Sequence, residues 1–83
     1  FRFFSIAPNP TLGEAKIELQ GFAGDFIVEL VSLTGQILNK KTLRLYENEY
    51  RIHTISLEDF PAGMYFVRIV GEDKVWTKAV VKE

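Results

Sequence analysis

Residues able to carry out acid–base or nucleophilic chemistry are few in this sequence, and they do not cluster. His53 is the single histidine, and it shares one face of a predicted strand with Arg51 and Ile55. A general base must lie within reach of a substrate proton, and a metal site needs several ligands around one point. No serine stands in the G-x-S-x-G context of a nucleophile elbow. The pattern predicts a half-exposed structural histidine and no catalytic residue.

The sequence supports a metal or cofactor site no better than it supports a catalytic site. The acidic pairs Glu58-Asp59 and Glu72-Asp73 fall in predicted connections, and two carboxylates are too few to hold Ca²⁺. The D-x-D-x-D-G spacing of a calcium loop is absent. No cysteine occurs, and the glycines stand singly rather than in a phosphate-binding loop. We therefore expect no metal and no cofactor, and we interpret the acidic pairs as solvated turn residues.

Size and charge narrow the possible classes. The 83 residues are expected to form a single domain, residues 1–83. A net charge of −1 lacks the basic excess that phosphate backbones require, which argues against nucleic acid as a partner. The longest apolar runs fall far short of the roughly 20 residues that cross a bilayer, so no membrane span is predicted. Since the sequence opens on Phe1 without a signal peptide, we expect a mature product or a fragment of a longer protein.

The elements that must position these residues are β-strands. Apolar and polar residues alternate with period two in nearly every segment, and turn signals recur about every 8–12 residues, as in a β-sandwich. The predicted fold is all-β, a seven-stranded immunoglobulin-like antiparallel sandwich. The predicted strands are Arg2–Ala7, Glu14–Leu19, Phe26–Leu33, Gln36–Leu43, Arg51–Leu57, Met64–Val70 and Val75–Lys82, and Leu45–Tyr50 is predicted to be a loop.

Side-chain alternation predicts which residues of the last two strands are buried. Tyr65 begins the sixth strand just after a Pro-Ala-Gly connection, where a tyrosine corner would place its hydroxyl on an upstream backbone group; plain packing is the alternative. A sheet change is expected at that connection. The apolar residues opposite the predicted inner face are a candidate docking surface, with ordinary scattered surface residues as the alternative. They are Met64, Phe66 and Val70 on the sixth strand and Trp76 and Val80 on the seventh.

The stretch Ala7-Pro8-Asn9-Pro10-Thr11-Leu12-Gly13 predicts a stiff corner between the first two strands. A residue before proline avoids the α region, so Asn9 is expected to be extended. Asn9 is then predicted to cap a single helical turn begun by Pro10 and ended by Gly13 in the left-handed conformation. Gly35 is predicted to take the same left-handed conformation in a hairpin.

Four ordered blocks resemble a known family. They are Pro8-Asn9-Pro10-Thr11-x-Gly13, Leu33-Thr34-Gly35-Gln36-x-Leu38, Leu57-x-x-Phe60-Pro61-Ala62-Gly63-Met64-Tyr65-Phe66-Val67-Arg68-Ile69 and Lys78-Ala79-Val80-Val81-Lys82-Glu83. Together they are similar to the type A C-terminal sorting domain of the type IX (Por) secretion system. Ser32 departs from the aspartate common in the family and is expected to loosen the hairpin, and Ala7 stands where an aromatic residue often precedes PNP.

The resemblance implies an address label rather than an enzyme. It implies an immunoglobulin-like sandwich joined covalently to an N-terminal cargo, which can itself be an enzyme, in an exported protein of a Bacteroidetes-type bacterium. The cargo transits the periplasm, and the type IX outer-membrane translocon recognises the C-terminal domain. A sortase-like signal peptidase then usually removes the domain, and the cargo ends on the outer-membrane surface or secreted.

The residues that match the family's motifs are the candidate sorting and recognition residues: Pro8, Asn9, Pro10, Gly13, Gly35, Gly63, Tyr65, Lys78, Val80, Val81, Lys82 and Glu83. A structural role is sufficient to explain the presence of most of these residues. We therefore expect recognition first at Lys78 to Glu83, where a receptor can add a strand or bind side chains. Removing Val80–Glu83 is expected to leave the fold intact but to stop export. The exposed terminal strand can also pair between copies to give a homodimer.

The alternative function is a carbohydrate- or surface-binding β-sandwich module. Its stacking residues would be Trp76, Phe66 and Tyr46.

Overall fold

A computed structural model describes residues 2–83, which fold into seven β-strands. The strands are β1 (Phe3–Ala7), β2 (Glu14–Gln20), β3 (Gly24–Ser32), β4 (Ile37–Leu45), β5 (Tyr50–Ser56), β6 (Gly63–Val70) and β7 (Val75–Lys82). All seven predicted strands are confirmed. The predicted loop is shorter than expected, because Leu45 is buried, pairs with Gly24 and ends β4, while Tyr50 begins β5.

The strands form two antiparallel sheets packed on one another, which confirms the predicted β-sandwich. The smaller sheet has the order β1-β2-β5, and the larger has the order β4-β3-β6-β7. The chain changes sheet after β2, after β4 and after β5. The sheet change predicted between the fifth and sixth strands is therefore confirmed.

The core lies between the sheets and follows the alternation in the sequence. Ile17 and Leu19 of β2 are at most 1% exposed. Phe22, in the loop between β2 and β3, is equally buried, and its ring meets those of Phe26 and Trp76 edge to face at 5.5 and 5.0 Å between centroids. Each such aromatic pair adds about 0.5–1.5 kcal/mol beyond the area it buries. The three rings therefore tie this loop to β7.

The prediction for the two faces of β7 is wrong. Val80 is 0% exposed and Trp76 packs against the core, so these two side chains face inward. Val75, Thr77 and Ala79 are exposed and lie on the outer face. The error arises because apolar residues occupy both faces of β7. Alternation alone does not decide between the faces of such a strand.

On the outer face of the four-stranded sheet, apolar side chains of β6 surround the Glu29–Arg68 ion pair. Arg68 donates through Nε and Nη2 to Glu29 Oε1 at 2.9 and 2.6 Å, and the Glu29 side chain is only 10% exposed. Met64, Phe66 and Val70 lie on this face, Met64 exposed and the other two half-buried. These three are the part of the predicted docking surface that faces away from the core.

The hairpin between β3 and β4 turns at Gly35, whose φ of +91° confirms the predicted left-handed conformation. Gly35 N–H donates to the Ser32 carbonyl at 3.0 Å, and Gln36 N–H donates to Ser32 Oγ at 3.1 Å. The Ser32 hydroxyl also lies 2.9 Å from Thr34 Oγ1. Ser32 thus caps the turn through its hydroxyl group, and whether aspartate would hold the hairpin more tightly stays a prediction.

Candidate functional site

The corner between β1 and β2 lies against the free edge of β7. Thr11 makes a parallel bridge with Lys82: its N–H donates to the Val81 carbonyl at 2.8 Å, and Glu83 N–H donates to the Thr11 carbonyl at 2.9 Å. Beside it, Asn9 Nδ2 donates to the Ala79 carbonyl at 3.0 Å and Asn9 Oδ1 accepts from Val81 N–H at 2.9 Å. The Asn9 carboxamide therefore takes the place of a peptide group in a neighbouring strand. We call the end of β7 together with the residue after it, from the Ala79 carbonyl to Glu83 N–H, the covered edge.

The helical turn predicted at this corner is wrong, because the strand edge uses the groups that a helix would need. Residues 10–13 form no helix, and Asn9 caps β7 rather than a helix. Gly13 has no left-handed φ. Instead, a Cβ at Gly13 would lie 3.0 Å from Glu58 Cγ, so the close approach of Glu58 favours glycine there.

Thr11 holds the corner together and was not among the predicted site residues. It is 2% exposed, and its Oγ1 accepts from Gly13 N–H at 3.1 Å and donates to the Glu14 carbonyl at 2.5 Å. A β-branched residue directly after Pro10 suits an extended backbone better than a helix start. That was the one signal in the sequence for its role.

The half-buried Lys82 is bound by backbone carbonyls of the same molecule. Its Nζ donates to the carbonyls of Leu57, Glu58 and Phe60 at 2.9, 3.2 and 2.6 Å. These carbonyls belong to the connection between β5 and β6, so Lys82 fastens that connection to the terminal strand. Lys82 is predicted to be a recognition residue, but in the structure its ammonium group is bonded to three backbone carbonyls and stabilises the fold.

The other cation of the terminal strand also has an internal contact. Lys78 Nζ lies 5.8 Å from the centre of the Phe4 ring, and the Arg2 guanidinium lies 5.2 Å from the centre of the Trp76 ring. Contacts of this kind stabilise exposed sites by about 0.5–1 kcal/mol. Arg2 and Lys78 therefore place two cations along one flank of β7.

The remaining terminal candidates differ in accessibility. Val80 is completely buried, Val81 is half-buried on the outer face, and Glu83 is exposed while its N–H lies on the covered edge. The expectation that Val80–Glu83 can be removed without loss of the fold is therefore wrong. Such a deletion would remove a core residue, the Lys82 contacts and both hydrogen bonds of the Thr11 bridge.

The motif residues of the β5–β6 connection have local structural roles. Tyr65 is buried, and its hydroxyl donates to the Pro61 carbonyl, which confirms the tyrosine corner. Gly63 has a φ of +151°, a conformation that L-residues rarely adopt. Pro8 and Pro10 lie in the exposed turn that carries Asn9 to β7.

The side chains able to do chemistry do not converge. His53 is half-buried on β5; its burial lowers its pKa below the ordinary 6.5, and the charges of Lys41 and Arg51 lower it further. Within residues 2–83, no three carboxylate or imidazole groups lie close enough to hold one metal ion. The same residues contain no helix long and apolar enough to cross a membrane.

The aromatic residues proposed to stack on sugars do not form a platform. Trp76 pairs with Ile69 on the inner side of β6–β7, whereas Phe66 pairs with Ala79 on the outer side. Tyr46 lies in the loop between β4 and β5. A flat sugar-binding surface needs rings on one face, so the structure lends the carbohydrate alternative no support.

The fold defines the class of protein as an all-β module, a two-sheet antiparallel β-sandwich. The family model described as "Secretion system C-terminal sorting domain" matches residues 5–83. The chain belongs to this family, the C-terminal secretion signals of the type IX (Por) secretion system. Such domains are non-catalytic, act together with the secretion machinery, and direct an attached cargo across the outer membrane. No curated protein matches the chain.

Proposed function

We propose that the outer-membrane translocon recognises this sorting domain through the outer face of strand β7. The observation that carries the proposal is the exposure of apolar side chains there: Val75 is 54% exposed, and Ala79 is exposed beside it. Exposed apolar side chains grouped on one strand are typical of an interaction surface. Of the two lysines of the same strand, Lys82 is bound by three carbonyls, whereas Lys78 is exposed and lies over Phe4 on the opposite face.

Further parts of the proposal follow from the sequence motifs. The four ordered blocks support assignment to type A and a single sorting domain over residues 1–83, joined to an N-terminal cargo. A sortase-like peptidase would then remove the domain, leaving the cargo on the outer-membrane surface or secreted. Pro8, Asn9, Pro10, Gly13, Gly35, Gly63 and Tyr65 would support recognition by holding the sandwich in shape.

The test compares two lysine substitutions on the same face of the same sheet. A periplasmic reporter carrying residues 1–83 at its C-terminus is expressed in a type IX-competent host, and its surface and periplasmic fractions are measured. Ala79→Lys places a charge on β7, and Thr42→Lys places the same charge at an exposed position of β4, the opposite edge strand. We expect Ala79→Lys to leave the reporter in the periplasm and Thr42→Lys to be exported normally.

The possible results separate the parts of the proposal. Equal export of the two variants would contradict recognition through β7. Failure to export the unsubstituted reporter would contradict its use as a complete signal. Thermal unfolding of both purified fusions shows whether either lysine acts through the fold.

A further inference from the structure

Strand β7 has an open edge next to the covered edge. Asn9 and Thr11 bond outward-facing backbone groups of Ala79, Val81 and Glu83, so the outward groups of β7 belong to alternate residues. Continuing this alternation, the N–H and C=O groups of Val75 and Thr77 and the N–H of Ala79 also face outward. These five groups point away from β6, and within residues 2–83 no other group forms a hydrogen bond with them. The open edge is about 13 Å long at about 3.3 Å per residue.

We infer that an extended segment of a secretion-machinery protein adds to this open edge as a fifth strand of the larger sheet. The inference rests on the proposed function, and it names the mode of binding at the same strand. Asn9 and Thr11 already bind the adjoining groups of β7 as a neighbouring strand would. Free backbone groups on an exposed strand are the basis of strand addition to a sheet.

The flanks of the open edge define the chemistry of the added segment. On the outer side, Val75 lies beside Val70 and Ala79 beside Phe66, so side chains of the new strand would extend apolar cross-strand rows. On the other side, Lys78 lies over Phe4 and Arg2 over Trp76, so the new strand meets two cations. The segment that fits therefore alternates apolar residues with acidic or polar ones.

The same charges disfavour a second copy of this chain as the occupant. Antiparallel pairing of two β7 strands centred on Thr77 would place Trp76 of one copy opposite Lys78 of the other. Arg2, which covers Trp76 in the first copy, would then lie beside Lys78 of the second copy. The symmetry of the pair would repeat this contact between like charges. Like charges opposite one another destabilise paired strands. A partner with acidic side chains on this flank has the complementary charge.

The test replaces an outward N–H without touching the ladder to β6. Thr77→Pro removes the central donor of the open edge, and proline is tolerated on an edge strand where the lost N–H faces away from the sheet. Val75→Pro does the same at the first residue of β7, the strand position that accepts proline best. Thr77→Val keeps the N–H while changing the side chain, and it is the matched control. All are made in the reporter fusion, and thermal unfolding identifies the variants that fold.

We expect the exported fraction to fall by about tenfold for a folded proline variant, since one bond is lost and the ring blocks close approach of the partner backbone. Thr77→Val should be exported like the unsubstituted fusion. Normal export of a folded proline variant would overturn strand addition, while a defect of Ala79→Lys would still leave recognition by the outer face standing. If the unsubstituted fusion stays in the periplasm, the proposed function itself fails.

A cysteine variant tests the second-copy outcome. The chain has no cysteine of its own, so Thr77→Cys reports only on contacts at the centre of the open edge. A disulfide-linked dimer of the exported reporter at low concentration would assign the edge to a second copy and overturn the inference. A monomer under oxidising conditions supports a partner from the machinery.

Discussion

Replacing Lys82 by methionine should destabilise the domain strongly, whereas the same change at Lys78 should not. Methionine keeps a long apolar stem and removes only the ammonium group. At Lys82 that group donates to three carbonyls of the β5–β6 connection, two of them partly buried. At Lys78 it contacts one half-buried aromatic ring, that of Phe4. The pair of variants separates a structural lysine from a surface lysine on the same strand.

The magnitude follows from the number of bonds lost. A hydrogen bond to a charged group contributes about 1.5–3 kcal/mol. We take the low end for each of the three bonds, because Lys82 is only half-buried. Holding the long lysine side chain in one geometry costs about 2 kcal/mol of rotamer entropy, and methionine recovers part of this cost because no hydrogen bonds fix its end. The net loss is about 2–3 kcal/mol, against about 0.5 kcal/mol for the ring contact of Lys78.

The assay is thermal unfolding followed by circular dichroism at neutral pH. For a domain of this size each kcal/mol lowers Tm by about 4–8 °C, so Lys82→Met should lower Tm by about 10–20 °C. Lys78→Met should lower it by less than about 5 °C. If the two variants melt within a few degrees of each other, the carbonyl contacts of Lys82 do not stabilise the fold as argued. If Lys82→Met is instead unfolded at the temperature of an export assay, a loss of export reflects lost stability and not lost recognition.

Substitutions at three further residues test other interactions. Asn9→Ala removes both side-chain bonds of the covered edge and should cost about 1–2 kcal/mol in urea unfolding. Asn9→Asp should restore only the bond accepted from Val81 N–H, since a carboxylate cannot donate to the Ala79 carbonyl, and full restoration of stability would contradict the assignment. Tyr65→Phe removes only the hydroxyl bond to the Pro61 carbonyl and should cost about 1 kcal/mol, whereas an unchanged midpoint would show that packing alone holds the corner. His53 has a lowered pKa, so as pH falls below about 6.5 the unfolded chain takes up its proton first and stability declines. His53→Gln should flatten unfolding curves measured between about pH 7 and 5; an unchanged slope would assign the decline to other groups.

Much of the fold could be predicted from the sequence because most strands have one buried face. The alternation in Glu14–Gln20 separates its charged residues from Ile17 and Leu19 unambiguously, and the tyrosine corner has a local signature after Pro61. The alternation does not predict the buried face of β7, because this strand carries valines on both faces and lysines on the inner face. On an edge strand the long stems of lysines can pack inward while their ammonium groups reach the rim.

The candidate site could be predicted only in part, because its contacts join distant parts of the chain. Asn9 and Lys82 were selected as motif residues, but the sequence gives no sign that Asn9 bonds a strand 70 residues away or that Lys82 binds carbonyls 22–25 residues before it. The short-range preferences at the corner favoured a helical cap instead. Long-range pairing of Thr11 with Lys82 overrides that preference.

The covered edge also bears on the order in which the chain can fold. Its hydrogen bonds span 70–72 residues, so they form only after the final strand is present and in place. Contacts of such long separation are slow to form, because the intervening chain must be closed first. A chain that stops before residue 79 lacks both partners of Asn9 and every partner of Thr11 on β7. The corner between β1 and β2 can therefore be completed only after β7 has been synthesised and has paired with β6.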